Sequence, residues 1–191
     1  MGVTLVTGPV RSGKSRYVIE IAQASGRRVS YVATAMRDGD DEEWDSRLTR
    51  HVHDRPLSWD VVESASLGPG ALIALFREGL PEQCIVVDAL GTWLAARIAT
   101  QIDALERDFA AFETQMDQEA TELVQAMLDS RAQVVAVAEE VGWDIVPVAA
   151  SARLFRDVLG RMKQRLAADA EAVFLVVCGF ALDLRALGTT I

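Results

Sequence analysis

The amino-acid sequence predicts an α/β fold, with helices layered on a mainly parallel sheet. Three observations carry this prediction. Short apolar runs recur along the chain and alternate with helical patterns. A glycine-rich loop with phosphate-binding spacing joins the first run to the first helix. An acidic residue closes the third run, at the strand end where open α/β sheets hold their ligands.

Val3-Thr4-Leu5-Val6-Thr7 is β-branched and apolar, bounded by Gly8, and reads as the first strand. A helix follows from Lys14, with Tyr17, Val18, Ile21 and Ala22 on its apolar face and Gly26 as its stop. Val29–Ala33 is a second strand. The acidic run Asp38–Asp45 is followed by Arg47, Arg50, His51, His53 and Arg55. Acid early and base late suits a helix obeying its macrodipole, and Pro56 ends it. Cys84–Val87 is a third strand, closed by Asp88, and a helix follows over Ala89–Ile98. Ile102, Leu105, Phe109, Phe112, Met116, Leu123 and Met127 recur every three or four residues and predict one long amphipathic helix. Val134–Ala138 and Val173–Val177 are further strands, separated by a helix over about Ala150–Ala168. Neither repeats nor a linker interrupt the pattern, so residues 1–191 read as a single domain.

Composition narrows the function. A chain of 191 residues, half of them hydrophobic and a quarter charged, excludes a disordered or fibrous protein. No apolar stretch is long enough for a membrane span, and Val3–Thr7 runs straight into the glycine loop, unlike a signal peptide. Cys84 and Cys178 sit in apolar runs and read as buried, reduced thiols, consistent with a cytoplasmic protein. The net charge of −9 argues against nucleic-acid or anionic-membrane partners. Its placement matters more than its sum. Residues 1–60 hold nine acidic and nine basic side chains, whereas 103–129 hold eight acidic residues and one arginine. The excess therefore reads as a solvated helix face.

Gly8-Pro9-Val10-Arg11-Ser12-Gly13-Lys14-Ser15 fits G-x-x-x-x-G-K-[ST], after a strand and opening a helix. In such a loop the backbone N–H groups turn inward around phosphate oxygens, and the helix N-terminus adds partial positive charge. Lys14 reaches the β- and γ-phosphates, and the Ser15 hydroxyl ligates Mg²⁺. Asp88 is the natural second Mg²⁺ partner. As a favoured capping residue it equally suits the start of the helix over Ala89–Ile98.

Only two histidines occur, His51 and His53, both in a basic segment ending at Arg55-Pro56. They suit a solvated helix end. They also suit phosphate chemistry, since a neutral imidazole attacks phosphorus and flanking arginines offset the charge that builds on its oxygens. Spacing alone leaves both readings open.

Taken together, these segments resemble the bifunctional adenosylcobinamide kinase / adenosylcobinamide-phosphate guanylyltransferase family of cobalamin synthesis. The resemblance covers about residues 3–179. It rests on Arg11-Ser12-Gly13-Lys14-Ser15, Ala33-Thr34-Ala35, the segment from Arg47 through His51 to Pro56, then Trp59 and Glu63. It continues through Asp88-Ala89-Leu90, Trp93, Glu140-Val141-Gly142, Ile145-Val146-Pro147, Arg153, Phe155-Arg156-Asp157, Gly160 and Gln164. The resemblance implies a three-layer P-loop NTPase domain of RecA-like topology. It implies two reactions: phosphorylation of adenosylcobinamide by ATP or GTP, then transfer of GMP from GTP through a guanylyl-histidine to adenosylcobinamide phosphate. The guanylylated residue falls on His51. Nucleotide contacts fall on Gly8–Ser15, Ala33, Thr34, Ala35, Val52, His53, Asp54, Arg55, Glu63 and Asp88. Family members form trimers, and the long helix suits either part of that packing surface or an intrachain core helix. Departures stand at Pro9, where a second glycine is usual, at His53-Asp54, Ala96 and Asp144, and at Lys163, which replaces an asparagine. Without the resemblance, the phosphate loop would equally serve another small-metabolite kinase or a non-catalytic nucleotide-binding protein.

Overall fold

The computed structural model describes residues 2–35, 56–64, 68–143 and 145–189. A seven-stranded sheet runs through them in the order β3-β2-β4-β5-β1-β6-β7. The strands are β1 (Val3–Gly8), β2 (Arg28–Ala33), β3 (Asp60–Glu63), β4 (Gln83–Asp88), β5 (Gln133–Glu139), β6 (Ala172–Val177) and β7 (Phe180–Asp183). All neighbours pair parallel except β6 with β7. The helices are α1 (Lys14–Ala24), α2 (Pro69–Arg77), α3 (Leu90–Ala99), α4 (Ile102–Arg107), α5 (Phe109–Leu128), α6 (Ala150–Asp169) and α7 (Leu184–Leu187).

Strand side chains alternate between two cores, as a pleated sheet with both faces covered requires. Val3, Leu5, Ile85, Val87, Val134 and Ala136 join Leu94, Phe112, Met116, Leu154 and Leu159 in the larger core, under α2–α6. Val6, Tyr31, Cys84, Val86, Val135 and Val137 join Val18 and Ala22 of α1 on the opposite face. Helix, sheet and helix thus make three layers. This alternation puts Tyr31, Ala33, Val86 and Asp88 in register on the α1 face.

The five predicted strands are present, each extended by a residue or two. Three expectations need correction. The long helix is broken: Asp108 is extended at φ −153° and ψ 94°, and its carboxylate accepts from the Ala111 amide at 3.1 Å. A good capping residue thus restarts the helix in the middle of an otherwise unbroken apolar pattern. Cys178 is exposed, because Cys178 and Gly179 (φ 52° and 80°) form the tight turn joining β6 to β7. The acidic helix face is only partly solvated. Asp117 accepts from Arg161 and Arg165 of α6 at 2.7 Å each, and Glu119 accepts from Arg97 at 2.9 Å. The helix expected around residues 38–55 lies outside the described residues.

Candidate active site

The loop from Gly8 to Ser15 leaves β1, at the middle of the sheet, and enters α1. Gly8 has φ 155°, and a Cβ there would lie 2.2 Å from the Val176 carbonyl oxygen, so only glycine fits. Gly13 caps α1 in the left-handed region at φ 104°. Arg11 is also left-handed, at φ 56°, a conformation that a non-glycine residue holds only where its surroundings impose it. Two backbone bonds supply that bracing. Gly179 N–H donates to the Ser12 carbonyl at 2.9 Å, and Glu140 N–H donates to the Gly8 carbonyl at 3.0 Å.

Inside the loop Lys14 is buried, and its Nζ donates to the Pro9 carbonyl at 2.7 Å. Pro9 lacks an N–H for phosphate, yet its carbonyl anchors the lysine. Burial pushes the Lys14 ammonium below its ordinary range, while Glu139, Asp88 and Glu140 pull it back up. The Ser12 hydroxyl is buried without a hydrogen-bond partner among the described residues. An orphaned donor of this kind costs about 1–3 kcal/mol, and a phosphate oxygen in the loop would satisfy it.

Three carboxylates lie at or just beyond the strand ends beside this loop. Asp88, half-buried at the end of β4, accepts a hydrogen bond from the Tyr31 hydroxyl. It does not cap α3. Ala89 occupies the cap position, and its amide donates to Thr34 Oγ1 at 2.7 Å and to Thr92 Oγ1 at 3.2 Å. Thr34 is buried, so its hydroxyl orders the Asp88–Leu90 corner from below.

Glu139 ends β5 and Glu140 follows it. Glu139 Oε2 accepts from the Gly91 amide at 3.0 Å. Burial pushes its carboxyl above the usual range and the charge of Asp88 adds to this, while its backbone hydrogen bonds and Lys14 oppose it. Glu140 Oε1 accepts from Thr7 at 2.6 Å and from Lys163 at 2.8 Å, and Lys163 also donates to the Glu139 carbonyl at 3.2 Å. Sequence reasoning passed over Glu139 and Tyr31. The signal for Glu139 was present, since an acidic residue closes β5 just as Asp88 closes β4.

Other expected positions fall as follows. Ser15 is half-buried in the first turn of α1, and Val10 and Arg11 are exposed at the loop tip. Ala33 ends β2, Ala35 follows it half-buried, and Glu63 pairs with Ala33 from the edge strand β3. Trp59 stacks on Tyr31 with ring centroids 6.1 Å apart. His51, Val52, His53, Asp54 and Arg55 lie outside the described residues, as does Asp144. Gly142, Val146, Arg156, Gly160 and Gln164 line one open groove along α6.

Comparison with known proteins accords with this geometry. A sequence model of the cobinamide kinase / cobinamide phosphate guanyltransferase family matches residues 4–184. The bifunctional adenosylcobalamin biosynthesis protein CobU of Salmonella typhimurium is 36% identical over 190 residues, covering 95% of this chain and 98% of that protein. Its Escherichia coli counterpart is 34% identical with the same coverage. The corresponding CobP of Pseudomonas aeruginosa is 31% identical over 182 residues, covering 95% of this chain and 96% of that one. Among solved structures, the chain resembles a prototypical ATPase from the type III secretion system of pathogenic bacteria, with a TM-score of 0.56 and 9% identity. That alignment covers 99% of this chain and 59% of the ATPase. The likeness is one of fold alone.

Proposed function

The chain belongs to the cobinamide kinase / cobinamide phosphate guanyltransferase family, and from that premise we propose that it carries out both reactions, using the loop at Gly8–Ser15 and His51. The match of one family over residues 4–184 carries the reading, because that span holds the phosphate loop, the histidine segment and the strand-end carboxylates together.

In the kinase step the aminopropanol hydroxyl of adenosylcobinamide attacks the γ-phosphorus of ATP or GTP. A new P–O bond forms, the bond to the β-phosphate oxygen breaks, and the hydroxyl proton is released. Lys14 leaves the Pro9 carbonyl for the β- and γ-phosphate oxygens, and Ser12 and the loop amides hold the remaining oxygens in place. Ser15 and Asp88 offer the hard oxygen donors that suit Mg²⁺, which takes one or two protein ligands and otherwise keeps phosphate oxygens and water. Bound there, the ion would neutralise charge developing on the leaving phosphate.

In the second step the His51 imidazole attacks the α-phosphorus of GTP. A P–N bond forms, pyrophosphate leaves, and GMP is held as a phosphoramidate. The phosphate of adenosylcobinamide phosphate then displaces histidine, giving adenosylcobinamide-GDP. Val52–Arg55, Ala33–Ala35 and Glu63 contact the nucleotide in this reading. The chain acts as one domain, in the cytoplasm, and within a homotrimer. Among the described residues no helix is long and apolar enough to cross a membrane.

Incubation of the protein with adenosylcobinamide, Mg²⁺ and GTP tests the pair of reactions. The expected products are the phosphate and then the GDP derivative, with Lys14→Ala losing the first. Formation of neither product by the folded wild type would overturn the proposal.

A further inference from the structure

We propose that Tyr31 is a positioning residue for the nucleotide-bound metal, holding the Asp88 carboxylate through its phenolic hydroxyl. The inference rests on the reading of Asp88 as a magnesium partner.

Tyr31 lies in the middle of β2, 2% exposed, and pairs with Val86 of β4. Two residues further on, Ala33 pairs with Asp88. The period of two puts Asp88 on the same face of the sheet as the Tyr31 ring, and the ring spans that interval so that its hydroxyl meets Asp88 Oδ2. The ring itself is fixed by burial and by its stack on Trp59, at an interplanar angle of 27°.

An aspartate carboxylate otherwise rotates broadly about its last torsion. Here the charged neighbours Lys14 and Glu139 would pull it toward the loop or push it away. A phenol is a neutral donor at physiological pH, and its bond to a carboxylate is charge-assisted. It holds Oδ2 and leaves Oδ1 uncommitted to this bond, without adding a charge that would compete with the metal. This is the arrangement by which an outer partner orients a metal ligand. A tyrosine needed only to fill the core would leave the metal dependence untouched.

Binding of Mn²⁺, followed by electron paramagnetic resonance in the presence of GTP, separates the two roles. Tyr31→Phe keeps the ring and its stack. It should raise the half-saturating Mn²⁺ concentration about ten- to a hundredfold, the loss usual when the outer partner of a metal ligand is removed, and leave metal-free GTP affinity unchanged. Asp88→Asn tests the underlying reading in parallel. If Asp88→Asn abolishes the Mn²⁺ effect and folded Tyr31→Phe does not shift it, the positioning role is overturned and the metal reading stands. If Asp88→Asn also has no effect, the metal reading fails and the positioning role fails with it. Should Tyr31→Phe not fold, fluorotyrosine incorporation reports on the intact chain, whose only other tyrosine is Tyr17. The ¹⁹F resonance of residue 31 should then move when Mg²⁺ joins GTP in the wild type and stay still in Asp88→Asn. A resonance unmoved in the wild type contradicts the proposal.

Discussion

The Gly91 amide donates to Glu139 Oε2 at 3.0 Å, and a Cβ on Gly91 would lie only 2.2 Å from that oxygen. The start of α3 therefore holds this half-buried carboxylate in its present position because residue 91 has no side chain. Gly91→Ala should displace the carboxylate and cost about 1–2 kcal/mol, outweighing the gain in helix propensity. In a Glu139→Ala background the same change should stabilise by up to about 1 kcal/mol. Urea unfolding of the four proteins in this double-mutant cycle gives the coupling directly.

Glu139 also gives stability a pH dependence. Its carboxyl is raised in the folded protein, chiefly by burial, so the folded state holds that proton more tightly than the unfolded chain. Stability from this group is present below the ordinary carboxylate range and is lost as pH rises through the raised value. Glu139→Gln removes the titration. Its stability should equal or exceed the wild type at neutral pH, and the wild type should gain on it as pH falls toward the ordinary carboxylate range. Urea midpoints measured across that interval check the sign.

Asp117 behaves oppositely. Its hydrogen bond from Arg165, with that from Arg161, holds its carboxyl below the usual range. The contribution is present above the ordinary carboxylate value and disappears as pH falls through the depressed one. Asp117→Asn should cost about 1 kcal/mol at neutral pH, a modest figure because both arginines are partly exposed and screened by solvent. The difference from wild type, read from urea unfolding, should shrink in high salt and at strongly acidic pH.

The two cysteines should separate in reactivity. Cys84 is fully buried in β4, and burial pushes its thiol up to about 11. Cys178 is exposed on the turn after β6. Ellman's reagent at pH 8 should titrate one thiol in the native protein and two after unfolding, with Cys178→Ser abolishing the native reaction.

The sequence revealed the strands that the fold buries on both faces, because β1, β2, β4 and β5 are near-continuous apolar runs. It concealed the edges. β3 and β7 have four residues each and are mostly exposed, so neither shows a buried-strand pattern. The phosphate loop was legible because its residues are contiguous and their spacing is set by the turn itself. Contacts across the sheet were not. Tyr31 meets Asp88 across 57 residues of chain, and Gly91 meets Glu139 across 48, separations over which no local periodicity operates. Asp108 shows a further limit, since an apolar repeat at helical spacing does not record where the backbone stops and restarts.

The central claim, that one chain both binds phosphate at its loop and carries GMP on a histidine, is tested most directly with GTP labelled at the α-phosphorus. The wild-type protein should take up acid-labile label with release of pyrophosphate, His51→Ala should take up none, and adenosylcobinamide phosphate should discharge the label from the wild type. Label retained in His51→Ala, or no label on the folded wild type, would contradict the account.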